Sequence, residues 1–110
     1  MKLECDLEKI KLAILKVEKI TGKNLTLPVL NSILITAFKK SIKLRATNLS
    51  LGIEVEVPAR IEKEGVVAVT GSVLTNTFSN IFTNESVNLE DDNGNLSIKT
   101  KINLTRYARS

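Results

Sequence analysis

Histidine is absent from the 110 residues, and cysteine occurs once, at Cys5. Without histidine the chain lacks the usual general base near neutral pH and the commonest metal ligand. Ser/His/Asp and Cys/His nucleophile arrangements are thereby excluded, as is zinc held by a Cys/His cluster. A lone cysteine cannot form an internal bridge, so nothing points to an oxidising compartment and the cytoplasm is expected. Cys5 itself, early in a strand, reads as a small core or edge residue. The five glycines form neither G-x-x-x-x-G-K-[ST] nor G-x-G-x-x-G, the known phosphate cradles, which leaves nucleotide hydrolysis unsupported. No apolar run approaches the roughly 20 residues of a membrane helix, and the opening MKLECDLEKIK lacks the apolar stretch of a signal peptide. The five N-x-[ST] sequons, starting at Asn24, Asn48, Asn84, Asn95 and Asn103, therefore read as composition.

What is present suits one small folded unit. Apolar residues make up 43% of the chain and aromatics only 4%, so a core of Ile, Leu and Val is expected across a single domain, residues 1–110. The net charge of +4 and the pI near 9.3 permit an anionic partner such as nucleic acid if the cations gather on one face. The one concentrated acidic site, Glu90-Asp91-Asp92 with Asn93, falls where a hairpin turn is predicted. Turn chemistry accounts for Asp-Asn-Gly, and the spacing is not that of a calcium-binding loop. No cofactor and no metal are expected.

Periodicity predicts an α+β order of β-α-β-β-β-β-α-β-β-β, two helices packed on antiparallel sheet. Lys2 to Cys5 alternates as a strand and leads to Asp6, a good helix N-cap. Leu7, Ile10, Ala13, Ile14 and Val17 then recur at helical spacing over 7–20, and Thr21-Gly22 supplies the stop. Ser32 to Phe38 and Ile42 to Thr47 read as strands joined at Lys39-Lys40. Leu49 to Val57 alternates with strict period two, and Glu62-Lys63-Glu64-Gly65 breaks the chain before a short buried strand over Val66 to Val69. A second helix follows Gly71-Ser72 to about Phe82, with Val73 or Leu74, Phe78, Ile81 and Phe82 as its apolar face. The β-branched Thr75 and Thr77 make that helix dependent on packing. Val87 and Leu89, the Asp92-Asn93-Gly94 turn, then Leu96 and Ile98 spell a hairpin, and Ile102 and Leu104 alternate in a last strand.

Lys9 and Lys16, two turns apart on the first helix, with Lys19 nearby and Lys23 just past its end, either track phosphates or merely solvate the wet face that Glu8 and Glu18 share. Leu12 and Leu15 fall off the buried stripe, as partner contacts or as ordinary exposed leucines.

The segment Thr26-Leu27-Pro28-Val29-Leu30-Asn31-Ser32-Ile33-Leu34 resembles the T-L-P-I-L-x-x-(I/L)-L stretch of the bacterial DNA polymerase III beta subunit, the sliding clamp. Leu44 to Glu56, LRATNLSLGIEVE, is similar to that family's L-x-(A/G)-(T/S)-(D/N)-L-(E/S)-x-x-(I/M)-E. The opening MKLECDLEKIKLAI, the Val66 to Phe82 strand and helix and the closing hairpin fall in the family's order and at its distances. The resemblance is to the first of the family's three domains. It implies a non-enzymatic processivity factor in which six such domains, usually three per chain in a dimer, encircle duplex DNA without regard to sequence, helices inward and sheets outward.

On that template Lys9, Lys16, Lys19 and Lys23 become water-separated partners of phosphates. Asn24 and Ser72 stand where relatives often carry basic residues, departures that weaken DNA contact. The resemblance further implies that Ile102 and Leu104 lie on a last strand that pairs edge to edge with a neighbouring subunit; the competing reading turns both into this domain's own core. Thr105-Arg106-Tyr107-Ala108-Arg109-Ser110 lacks the usual continuation into a second domain, so polymerase and clamp loader are expected to engage through domains absent here. The alternative function is a self-associating scaffold of clamp-like fold without productive DNA contact. An unfamiliar enzyme is disfavoured by the lack of histidine, of a nucleotide motif and of a carboxylate pair.

Overall fold

The computed structural model describes residues 1–21, 31–48, 51–81, 86–92 and 94–100 and the backbone of 105–109. The order is β1 (Lys2–Asp6), α1 (Leu7–Glu18), β2 (Ser32–Phe38), β3 (Ser41–Thr47), β4 (Gly52–Lys63), β5 (Gly65–Thr70), α2 (Gly71–Ser79), β6 (Ser86–Asp92), β7 (Asn95–Lys99) and β8 (Thr105–Arg109). This is the predicted α+β order, element for element. All strand pairs are antiparallel, in the spatial order β5-β2-β3-β4-β1-β6-β7-β8.

Helix α1 forms where sequence periodicity and capping agree. Asp6 stays extended and its carboxylate accepts the Lys9 N–H at 3.1 Å, satisfying one of the orphan donors of the first turn. Leu7, Ile10, Ala13, Ile14 and Val17 are the buried residues of the helix, the predicted stripe without exception. The helix ends at Glu18, two residues early, and Thr21 closes the end by donating its hydroxyl to the Glu18 carbonyl at 2.7 Å.

Strand β4 corrects two boundaries. It begins at Gly52, because Asn48 turns the chain first: its side-chain oxygen accepts the Leu51 N–H at 2.7 Å and its own N–H donates to the Leu51 carbonyl at 2.8 Å. Leu51, predicted to face inward, is consequently 56% exposed, and Leu49 lies outside the described residues. At its other end β4 runs through Pro58 and the supposed breaker Glu62-Lys63. It changes partner on the way, pairing with β3 over Gly52–Pro58 and with β1 over Ala59–Lys63. Pro58, which has no N–H to give a ladder, sits at the changeover. Over Gly52–Val57 the strand is thus paired on one side only among the described residues, and β8 closes the spatial order with one side likewise unpaired.

Strand β5 is half-buried rather than buried: Val67 and Val69 point inward, while Val66 is 54% exposed. Helix α2 stops at Ser79, short of Phe82, which lies outside the described residues. Of its predicted face Leu74 and Phe78 are buried and Val73 is not; Ile81 is buried although it follows the helix. The β6–β7 hairpin carries Gly94 at φ 84°, its N–H donated to the Asp91 carboxylate at 3.2 Å; Asn93 lies outside the described residues. Of the acidic cluster, Asp91 is thus engaged by its own turn. Isoleucine, leucine, valine and Phe78 from both helices and both halves of the sheet fill one core, each fully buried large side chain contributing about 1.5–3 kcal/mol.

Candidate nucleic-acid interface

The two helices touch each other and back onto the sheet, α1 against β3, β4 and β1 and α2 against β5 and β8. Their outward surfaces form one helical side of the molecule. Lys11, at the border of the α1 stripe, donates its ammonium to the carbonyl of Ile81 just past α2, tying the two together. It is a positioning contact that the periodicity did not disclose, because the acceptor is a main-chain atom 70 residues away.

Lys9, Lys16 and Lys19 are exposed on or just after α1, and none forms an ion pair with another described residue. Lys9 and Lys16 flank Leu12, which lies three residues from one and four from the other and is 58% exposed. Leu15, 50% exposed, follows on the side nearer α2 and helps line a shallow apolar cleft of about 240 Å³ with Lys11, Ile14, Thr75 and Phe78. The outward side of α1 therefore offers unpaired ammonium groups around apolar ground. Ser72 is exposed in the first turn of α2. That helix, GSVLTNTFS, has no charged residue. Lys23, Asn24, Ile102 and Leu104 fall outside the described residues.

Nothing else in the described residues competes as a reactive centre. Cys5 is buried in β1, and burial, then the nearby charges of Asp6 and Glu4, push its thiol up to about 12. A thiol of that acidity is neither nucleophile nor ligand near neutral pH. Among the described residues no group of three or more Cys, Asp or Glu is placed to hold a metal ion. The cationic side chains on the sheet side are partly engaged: Lys2 with Glu62 at 3.6 Å, Arg60 with Glu4 at 3.3 Å, and Arg45 with Glu54. The Arg45 hydrogen bond holds the Glu54 carboxyl below its ordinary range.

An eight-stranded antiparallel sheet thus carries two helices on one side, the first of them displaying lysines that pair with no described residue. The fold is shared with pol III beta of Caulobacter crescentus (TM-score 0.87, 23% identity, 99% of this chain and 29% of that one). It is shared equally with the Helicobacter pylori beta clamp bound to DNA ligase peptide (0.89, 18%, 99% and 30%) and with a Bartonella birtlesii sliding clamp bound to griselimycin (0.88, 23%, 99% and 29%). Residues 1–107 match the family described as DNA polymerase III beta subunit, N-terminal domain, and the chain belongs to that family. No curated protein sequence matches it. The chain spans about 30% of the length of these solved clamps.

Proposed function

We propose that this chain forms one arc of a ring that encircles duplex DNA and keeps a bacterial replicative polymerase on its template. It acts by topology and carries out no turnover. The observation that carries the reading is the row of unpaired lysines, Lys9, Lys16 and Lys19, on the helical side of a domain of this family. Charges held on a fixed helix and not committed to partner carboxylates attract phosphates without reading bases, and that suits sliding. Lys23 and Asn24, which follow α1 in the sequence, and Ser72, at the start of α2, complete the proposed DNA-facing set.

Ring closure uses backbone edges. Strand β8 and the Gly52–Val57 half of β4 each have one side unpaired among the described residues, which supports edge-to-edge addition of neighbouring clamp domains. Ile102 and Leu104, just ahead of β8, would supply apolar contact at that junction. Polymerase and clamp loader engage the ring through other parts of it, and the assembly works in the cytoplasm.

A second reading, a self-associating scaffold without productive DNA contact, draws on the uncharged α2 and the exposed Leu12 and Leu15 at the centre of the helical side. Salt dependence separates the two. Duplex binding measured by fluorescence anisotropy across a salt series should lose about 0.9 of log–log slope for each phosphate-tracking lysine converted to alanine. Lys9→Ala, Lys16→Ala and Lys19→Ala in combination should therefore flatten the slope stepwise. A slope indifferent to all three favours the scaffold.

A further inference from the structure

The outward face of the sheet carries a second basic surface, remote in chain and element from the lysines of α1. Phe38, the last residue of β2, is 55% exposed, and Val66 on β5 is 54% exposed. Thr36 pairs directly with Val66, so Phe38 stands diagonal to Val66 on the same outward face, within reach of a large side chain. Next to them Phe38, Lys39, Lys40, Lys43, Glu56 and Pro58 border an open concavity of about 1000 Å³. Lys39, Lys40 and Lys43 form no ion pair with a described residue, and even Glu56, directly opposite Lys43 in the β3–β4 register, lies beyond salt-bridge distance.

The backbone beneath these lysines is fixed. Lys39 takes the left-handed conformation at φ 58° that a two-residue hairpin requires. Its N–H donates to the Glu64 carboxylate at 3.0 Å, and the Lys40 carbonyl accepts the Ala59 N–H at 3.0 Å. The turn is thus held by β4 and by the residue that links β4 to β5, and its cations are displayed on a preorganised frame. Glu64, the carboxylate nearest the tip, is already used by that backbone bond.

We infer that this hairpin face docks an acidic peptide segment of a partner protein, extended across the sheet surface with one large apolar side chain seated against Phe38 and Val66. Charge complementarity selects the occupant: the Lys40 and Lys43 ammonium groups, paired with no described residue, and that of Lys39, 5.4 Å from the Phe38 ring centroid, border an apolar seat, so the ligand brings carboxylates around an apolar anchor. Single-stranded nucleic acid suits the site less well. It needs successive aromatic faces on which bases stack, and Phe38 is the one aromatic side chain bordering this concavity.

The test uses the whole chain and a fluorescein-labelled peptide of alternating Asp and Glu around a central Leu-Phe, followed by anisotropy. Binding should fall about tenfold with Phe38→Ser, the loss typical of an anchor contact, and by at least as much with the pair Lys40→Glu and Lys43→Glu. Lys16→Glu on α1 should leave it unchanged. A peptide with Lys in place of the acidic residues should not bind. The inference is overturned if the acidic peptide fails to bind the wild-type chain, if Phe38→Ser and the charge reversals leave its affinity intact, or if labelled oligothymidine binds the same face more tightly. Both sets of substitutions are at exposed or partly exposed positions, and the far-ultraviolet dichroism of each variant verifies that the fold persists.

Discussion

The two helices occupy equivalent places on one sheet, yet they are built by different means. Helix α1 has twelve residues, an Asp6 side-chain cap, an acidic residue in its first turn and a basic one in its last. Helix α2 has nine residues, no side-chain cap at Thr70 and no charged residue at all. Its Thr75 hydroxyl is buried without a hydrogen-bond partner among the described residues, and its Thr77 hydroxyl bonds back to the Val73 carbonyl, a contact that does little for helix stability. Local chemistry thus favours α1 on its own, whereas α2 is helical because Leu74 and Phe78 are buried in the core. The same contrast runs through function: α1 holds the described cations of the helical side, and α2 offers neutral surface.

The sharpest way to break this comparison is to remove the packing that α2 depends on. Phe78→Ala takes away the largest fully buried side chain and should cost about 3–5 kcal/mol in urea unfolding, enough to threaten the whole fold. A loss below about 1 kcal/mol would mean that α2 is held by something other than its buried face.

The junction between the helices gives the next largest effect. A Cβ on Gly71, the first residue of α2, would stand 2.7 Å from the Thr21 hydroxyl oxygen, and that hydroxyl is bonded to the end of α1. Gly71→Ala should therefore destabilise by about 1–3 kcal/mol through overpacking, despite the roughly 1 kcal/mol that alanine gains over glycine inside a helix. In a Thr21→Ala background the penalty should shrink or change sign. An identical cost in both backgrounds would show that the two helix ends do not communicate through this contact.

Asp6→Ala addresses the capped helix. Loss of the acceptor for the Lys9 N–H should cost about 1 kcal/mol, and amide exchange should quicken in the first turn of α1 while α2 stays unaffected.

These differences also explain which parts of the molecule could be read from sequence. The stripe Leu7, Ile10, Ala13, Ile14, Val17 announced α1 because spacing, cap and propensity agree. The end of α2 was misplaced because Ile81 and Phe82 continue an apolar pattern after the helix has stopped, and burial does not by itself require helix. The run of β4 through Pro58 to Lys63 was hidden for the opposite reason. Proline and Glu-Lys-Glu look like punctuation, but a strand that trades β3 for β1 at Pro58 tolerates both. Of the site, the lysines of α1 were legible as a wet helical face. The Lys11 tie to Ile81 and the diagonal placement of Phe38 beside Val66 were not, since each joins residues brought together only by the sheet or by helix packing.

The smallest effect concerns what α2 lacks. Ser72 is exposed in its first turn, where a long cationic side chain can reach the same solvent side as Lys16 and Lys19 without disturbing a buried contact. Ser72→Lys should change stability by less than about 0.5 kcal/mol, a cation near a helix N-terminus being mildly unfavourable. If the helical side faces DNA, the same substitution should steepen the salt dependence of duplex binding by about 0.9 in slope and raise affinity at low salt. Paired with Lys16→Ala it should restore the wild-type slope, because phosphate attraction counts charges and ignores which helix bears them. Failure of the added lysine to register, in a variant that remains folded, would mean that α2 does not approach the duplex and that α1 alone forms the electrostatic track.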